Sequence, residues 1–280
     1  MRRRVGFAVV AAAATLALAA CSGGGGDEPG STGGGKPEKI RIGIKFDQPG
    51  LGFQDGSKYT GFDVDVARYV AKSLGYEEGD IEFIAAPSAQ RETMLQNKQV
   101  DMIFATYSIT DKRKETVSFA GPYFVAGQDL LVAADDSAIT GPDTLEGKNL
   151  CSVTGSTSAQ RIKDEYASGV NLVEQPGYAE CVTALVAGSV DAVTTDDIIL
   201  AGLAAIPANA GKVKVVGNPF SEERYGVGLP KDSDQCEPIN EAITKMIDDG
   251  SWQKALDDNV GSTGYKPNAD LNPPKPDACG

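Results

Sequence analysis

Two stretches of this chain, ninety residues apart, carry one pattern. Leu95-Gln-Asn-Lys-Gln-Val-Asp101-Met-Ile lines up with Leu185-Val-Ala-Gly-Ser-Val-Asp191-Ala-Val. In each, a helical segment ends, a Val-Asp pair follows, and an apolar strand runs to a polar loop. A pattern repeated in this way implies two βα-type lobes of similar build. The fold class expected is therefore α/β.

The loops that end the two copies hold the chemistry. Residues 100–104 read as a buried strand that delivers Ala105-Thr-Tyr-Ser-Ile-Thr-Asp-Lys-Arg113. Three hydroxyls, Thr106, Ser108 and Thr110, precede Arg113, and residues 111–115 read as the first turn of a helix. Strand ends followed by helix starts are where open α/β sheets bind ligands. Hydroxyls beside a guanidinium fork suit a carboxylate. Taken alone, the same loop is also a helix N-cap by Ser108 or Thr110 next to a solvated arginine. The second lobe offers Gly155-Ser156-Thr157 at a helix start and Asp196 at a strand end. Gly155 lets the backbone approach closely, and the amides after it form an anion site. Asp196 can cap the next helix, or supply the anion for an ammonium. Paired with Arg113 it completes a site for a zwitterion.

The N-terminus stands outside this plan. Arg2, Arg3 and Arg4 precede an Ala-rich apolar run, and Leu18-Ala-Ala-Cys21 closes it. This reads as a secretory signal, residues 1–20, ending in a lipoprotein processing site with lipid on Cys21. The run is short for a membrane span, which needs about 20 apolar residues. Residues 21–38, with four and then three consecutive glycines, read as a flexible tether. The expected location is extracytoplasmic, anchored to the outer face of the cell membrane by lipid alone.

The formal charge is −13, and it is more negative still without the three leader arginines. That balance argues against nucleic acid or an anionic membrane surface as partner. An anionic ligand must then be drawn by a local cluster of cations. The chain has no histidine, so the commonest metal ligand is missing. Besides Cys21 it has Cys151, Cys181, Cys236 and Cys279, an even count that suggests two disulfides in an exported protein. No C-x-x-C spacing suggests zinc.

Read in order, residues 39–45 alternate as a first strand, and 47–52 form a turn-rich loop. Phe62, Val66, Val70 and Leu74 mark one face of a helix, with Asp63 and Asp65 in its first turn and Gly75 at its end. Residues 81–85 are a second strand, Ser88 starts a helix to about residue 97, and 100–106 are the third strand. Residues 117–132 look like a crossing to another lobe. Strands are expected at 150–153, 190–195 and 213–216, and helices at 159–166, 180–187, 239–248 and 252–257. Residues 264–280 read as an irregular tail.

At these residues the chain resembles the solute-binding proteins of amino-acid ABC importers. The matching motifs are Gly61-Phe-Asp-Val-Asp65, Val100-Asp101, Ser108-Ile-Thr-Asp-Lys-Arg113, Phe119-Ala-Gly-Pro-Tyr123, Leu145-Glu-Gly-Lys148, Gly155-Ser-Thr157, and Val190-Asp-Ala-Val193 with Asp196. The resemblance is closest to the glutamate-binding lipoproteins of Gram-positive bacteria, through Ile44-Lys-Phe-Asp-Gln-Pro-Gly-Leu51, Ser88-Ala-Gln-Arg-Glu-Thr93 and Leu150-Cys-Ser152. It implies a type II periplasmic-binding-protein fold, with two αβ lobes joined by a two-crossing hinge. Lobe 1 would be residues 39–125 and 222–260, lobe 2 residues 126–221, and 261–280 a tail. It also implies that Arg113 grips an α-carboxylate and Asp196 an α-ammonium, and that Cys151 pairs with Cys181, leaving Cys236 for Cys279. Permease subunits of an importer are the implied partners, with no catalytic residue, metal or cofactor. One departure is the loop 47–50, where many members carry an aromatic over the ligand. Phe46, Phe53 and Tyr107 are the candidates to replace it.

Lys45 ends the first strand, and Ser88 and Arg91 lie just after the second. All belong to the sheet edge that delivers Arg113, so they should face the cleft. The resemblance agrees, since acidic-amino-acid binders of the family place basic residues there. L-glutamate is the expected ligand, with aspartate or glutamine as alternatives. An enzyme on the same scaffold would need a base beside a nucleophile, and none is evident. A receptor or sensor module is the third possibility.

Overall fold

Asp101 and Asp191 hold equivalent positions in two separate sheets. The Asp101 amide donates to the Arg41 carbonyl at 2.8 Å, and its Oδ2 accepts the Arg41 amide at 2.8 Å. Asp191 does the same with Asn149, again at 2.8 Å both ways. Each preceding helix ends alike. Gln99 donates to Met94 and Ser189 to Ala184, both at 2.9 Å, and Lys98 (φ 53°) and Gly188 (φ 72°) turn through the left-handed region. These are paired helix stops of the Schellman type. Asp101 adds an ion pair with Arg41 at 2.7 Å.

This computed structural model describes residues 38–166 and 169–279. The expected signal, Cys21 and nearly all of the expected tether lie outside the described residues. In chain order the strands are β1 (Ile40–Ile44), β2 (Asp47–Gln48), β3 (Gly52–Asp55), β4 (Lys58–Thr60), β5 (Ile81–Ala85), β6 (Met102–Phe104) and β7 (Ser118–Ala126). They continue with β8 (Gln128–Ala133), β9 (Asn149–Val153), β10 (Asn171–Gln175), β11 (Ala192–Asp196), β12 (Val213–Val215) and β13 (Glu223–Leu229). The α-helices are α1 (Phe62–Ser73), α2 (Arg91–Gln96), α3 (Asp111–Lys114), α4 (Thr157–Arg161), α5 (Tyr178–Val186), α6 (Asp197–Ala205), α7 (Cys236–Asp248) and α8 (Ser251–Val260).

Two five-stranded sheets result, ordered β5-β1-β6-β13-β7 and β10-β9-β11-β8-β12. In each, the first three strands are parallel and the fourth runs antiparallel to both of its neighbours. The fold is thus α/β with two lobes of like topology, as the repeat requires. A single residue, Gly127, separates β7 of the first sheet from β8 of the second, and the chain returns between β12 and β13. The apolar spacing of α1 buries Phe62, Val66 and Val70 completely. Phe62 meets Trp252 edge-on at 5.6 Å.

Several local expectations are corrected. The segment after Thr110 is one isolated turn, α3, rather than the start of a longer helix. The third strand stops at Phe104, because Thr106 takes a left-handed φ of 45°. The loop after β1 contributes to a small sheet, β2-β3-β4. The helix after Gly155 begins at Thr157 and continues as a π-turn through Tyr166.

Two disulfides are present. Cys151–Cys181 fastens α5 to β9, and Cys236–Cys279 pins the tail to the start of α7. The tail runs along the β7 edge. Asn272 exchanges hydrogen bonds with both backbone groups of Val125 (3.0 and 2.8 Å), and the Asp277 amide donates to Gly121 at 2.7 Å.

Candidate functional site

The C-terminal ends of β1, β5 and β6 bring three cations into one buried edge of lobe 1. Lys45, Arg91 and Arg113 are 3, 2 and 9 % exposed. Lys45 directly follows β1 and reaches Asp47 at 3.3 Å. Burial lowers its pKa, against the pull of Asp47. Arg91 opens α2. Among the described residues its guanidinium donates only to backbone carbonyls, those of Ser88 (3.3 Å), Ala105 (2.9 Å) and Gly155 (3.4 Å). Among the described residues it has no ion-pair partner. Burial, and then the charge of Arg113, bring it down to about 10. Arg113 donates to Glu92 (3.1 Å), the Ser108 carbonyl (2.8 Å) and the Gly155 carbonyl (3.1 Å).

Tyr107 lies beneath both guanidiniums. The Arg91 and Arg113 carbons stand 4.3 and 4.8 Å from its ring centroid, a cation–π arrangement that partly offsets burial of the charges. A side chain on Gly228 would meet this ring at 2.6 Å, so the glycine of β13 makes room for it. Of the aromatics proposed to cover a ligand, Tyr107 is therefore a floor under the cations. Phe46 packs on Tyr59 at 5.2 Å, and Phe53 sits in β3 on the small sheet.

The opposing edge belongs to lobe 2. Ser156 caps α4 by accepting from the Ala159 amide at 2.9 Å. Thr157 and Ser108 join the lobes, their hydroxyls 3.3 Å apart. On the first-lobe side Thr110, not Ser108, caps the helix turn. Asp196 occupies the N-cap position of α6 yet makes no capping bond. Its Oδ2 accepts from the Tyr225 hydroxyl at 2.6 Å, and its Oδ1 has no hydrogen-bond partner among the described residues. Burial, followed by the nearby charge of Glu223, raises its pKa well above the usual carboxylate range, and Tyr225 opposes the shift. A groove of 640 Å³ opens on the Arg113 side of this edge, lined by Ser88, Arg113, Gly155, Ser156 and Thr157 among others but not by Asp196 or Arg91.

Nine sequence-selected positions thus lie along the facing edges of two lobes: Lys45, Ser88, Arg91, Thr106, Ser108, Arg113, Ser156, Thr157 and Asp196. Direct contacts unite Arg91, Arg113, Ser108 and Thr157 around Gly155. Lys45 is set apart with Asp47, and Thr106 turns its hydroxyl to Gln48 at 3.2 Å.

Sequence reasoning missed three neighbours. Gln48 is 1 % exposed, and its Nε2 has no partner among the described residues. Tyr225 arrives on β13, which was not foreseen. Tyr178 begins α5, where hydrogen bonding from Thr195 and Ser156 opposes the burial that raises its pKa. The repeat held the signal for Tyr178. The same ninety-residue offset that relates Asp101 to Asp191 relates Ser88 to Tyr178 and Thr106 to Asp196.

Chemically, lobe 1 presents cations in excess of their carboxylate partners, and lobe 2 presents a buried carboxylate with a free oxygen. A ligand carrying both an anion and a cation satisfies both edges.

The chain also has relatives among known proteins. Residues 40–262 match the family described as bacterial extracellular solute-binding proteins, family 3. A glutamate-binding protein GluB of Corynebacterium efficiens is 47% identical over 234 residues, covering 79% of each chain. A glutamine-binding protein of Geobacillus stearothermophilus is 40% identical over 200 residues, 71% of this chain and 75% of that one. The solved structure of an ancestral arginine-binding protein bound to glutamine superposes with a TM-score of 0.74 at 35% identity, covering 81% of this chain and all of that one. The two-lobed architecture is that of the type II periplasmic amino-acid-binding proteins, and the chain belongs to the bacterial extracellular solute-binding proteins of family 3.

Proposed function

We propose that this chain captures L-glutamate outside the cytoplasm and delivers it to the permease of an ABC importer. The observation that carries the reading is a pair of opposed, buried ionisable groups without an ion-pair partner among the described residues. Arg91 on lobe 1 has no ion-pair partner, and Asp196 on lobe 2 has a free Oδ1, among the described residues. Ionising such groups without a partner costs several kcal/mol each, and a ligand of matching charge recovers that cost.

In this reading Asp196 takes the α-ammonium. Arg113 and the amides after Gly155 take the α-carboxylate, with Thr106, Ser108, Ser156 and Thr157 supplying hydroxyls. The Arg113 donors now on the Gly155 carbonyl are those a carboxylate would take over. Lys45, Ser88 and Arg91 receive the distal carboxylate. Lobe 1 comprises residues 39–125 and 222–260, lobe 2 residues 126–221, and the hinge between them closes on the ligand. Cys21 carries a lipid that tethers the protein to the membrane through residues 21–38. The chain is a carrier rather than an enzyme.

The 47%-identical relative is named for glutamate, which supports this choice, and the 40%-identical one for glutamine, which makes glutamine the second candidate. Thermal unfolding of the ligand-free protein with each of the twenty amino acids tests the assignment. Glutamate is expected to raise the melting temperature most, since only the native state binds it. No shift with any amino acid would contradict transport of this ligand class.

A further inference from the structure

Lobe 2 meets lobe 1 at three glycines. A Cβ on Gly155 would stand 2.7 Å from Ala89 Cα, and one on Gly177 would stand 2.8 Å from Asp47 Oδ2. One on Gly202 would overlap the carbonyl oxygen of Pro49.

Gly202 is the most informative of the three. It lies inside α6, in the run Leu200-Ala-Gly-Leu-Ala-Ala205, with no left-handed φ to require a glycine. Alanine is the better helix residue at such a position. The Pro49 carbonyl is also the only group beyond the helix within 4 Å of where a Cβ would sit, among the described residues. The helix itself leaves space for a methyl, and the contact across the lobes does not.

Pro49 belongs to the loop that follows Lys45. Its neighbour Gln48 holds Thr106, and Asp47 pairs with Lys45. Seating the Pro49 carbonyl against Gly202 therefore fixes the position of one loop on the first-lobe side of the cleft, the one next to Lys45 and Thr106. We propose that Gly202 sets how far the cleft closes: its missing side chain admits the Pro49 carbonyl, so ligand affinity depends on a residue that the ligand does not touch. The inference rests on the amino-acid-capture reading.

The test uses the mature chain carrying Gly202→Ala, with Ala201→Gly as a control for helix flexibility. Three quantities are measured: melting temperature without ligand, glutamate affinity by calorimetry, and radius of gyration by solution scattering with and without glutamate. G202A is expected to melt at or above the wild-type temperature, to bind glutamate at least tenfold more weakly, and to compact less on binding. A201G is expected to keep wild-type affinity. Wild-type affinity and compaction in G202A, with wild type itself binding glutamate, would overturn the role of Gly202 and leave the ligand assignment standing. A ligand-free G202A that melts well below wild type would also overturn it, because the fold itself and not closure would then refuse the methyl. Wild type binding none of the twenty amino acids overturns both.

Discussion

Tyr225 donates its hydroxyl to Asp196 Oδ2 at 2.6 Å, and the other oxygen of Asp196 is left without a partner among the described residues. Tyr225 comes from lobe 1 and Asp196 from lobe 2, so the proposed ammonium acceptor is also a joint between the lobes. The tyrosine opposes the rise in the Asp196 pKa and so favours its charged form. Replacing Tyr225 with Phe removes that support at little cost in volume. The expected result is a loss of about 1.5–3 kcal/mol in ligand binding, the range for hydrogen bonds to charged groups. That is roughly ten- to 150-fold in affinity. Calorimetry at neutral pH measures it, and an unchanged affinity would remove Tyr225 from the site.

The Arg113 guanidinium makes three hydrogen bonds among the described residues, to Glu92, Ser108 and Gly155. Arg113→Ala should cost roughly 2–5 kcal/mol of binding, about 30-fold to several thousand-fold in affinity. Arg113→Lys should also bind poorly, since an ammonium cannot present the planar fork. An alanine variant that folds normally and binds within about threefold of wild type would reduce Arg113 to an interlobe strut.

Acid should stabilise part of this fold. Burial raises Asp63 to about 6, although the Tyr123 hydroxyl and the Thr106 amide hydrogen-bond to it. Asp197, which accepts from the amide of Gly127 between β7 and β8, is raised to about 6 by the same cause. A carboxyl with a raised native pKa binds its proton more tightly in the folded state. Its contribution is fully present below the unfolded pKa of about 4 and is lost as pH rises through about 6. For Asp63 the amount is up to about 3 kcal/mol. The melting temperature of the ligand-free protein should therefore fall between pH 5 and pH 7, and Asp63→Asn should flatten that slope. A slope unchanged in the variant would assign the dependence to other groups.

The repeat made the architecture legible. Val-Asp pairs at 100–101 and 190–191 mark two strands entering two sheets, and both aspartates bind the neighbouring strand identically. The β13 strand was hidden because Gly226 and Gly228 weaken its pattern. Yet those glycines are required: side chains there would meet Ile109 and Tyr107 at 2.6 Å. Missing β13 meant missing Tyr225 and its bond to Asp196. Gln48 sits in a turn-rich polar stretch, and nothing in its neighbours signals that it is 1 % exposed. The cations were found because strand ends announce themselves. Their partners were not, since Glu92 and Arg113 meet only through the fold.

The direct test of the central claim is calorimetric titration of the ligand-free protein with glutamate, aspartate, glutamine and arginine. Glutamate is expected to bind most tightly. Aspartate should be weaker because its chain is too short to reach both Asp196 and the cations at Lys45 and Arg91. Glutamine should be weaker because a neutral amide leaves buried cations without a counter-charge, at a cost of several kcal/mol. Glutamine or arginine binding more tightly than glutamate would contradict the role given to Lys45 and Arg91.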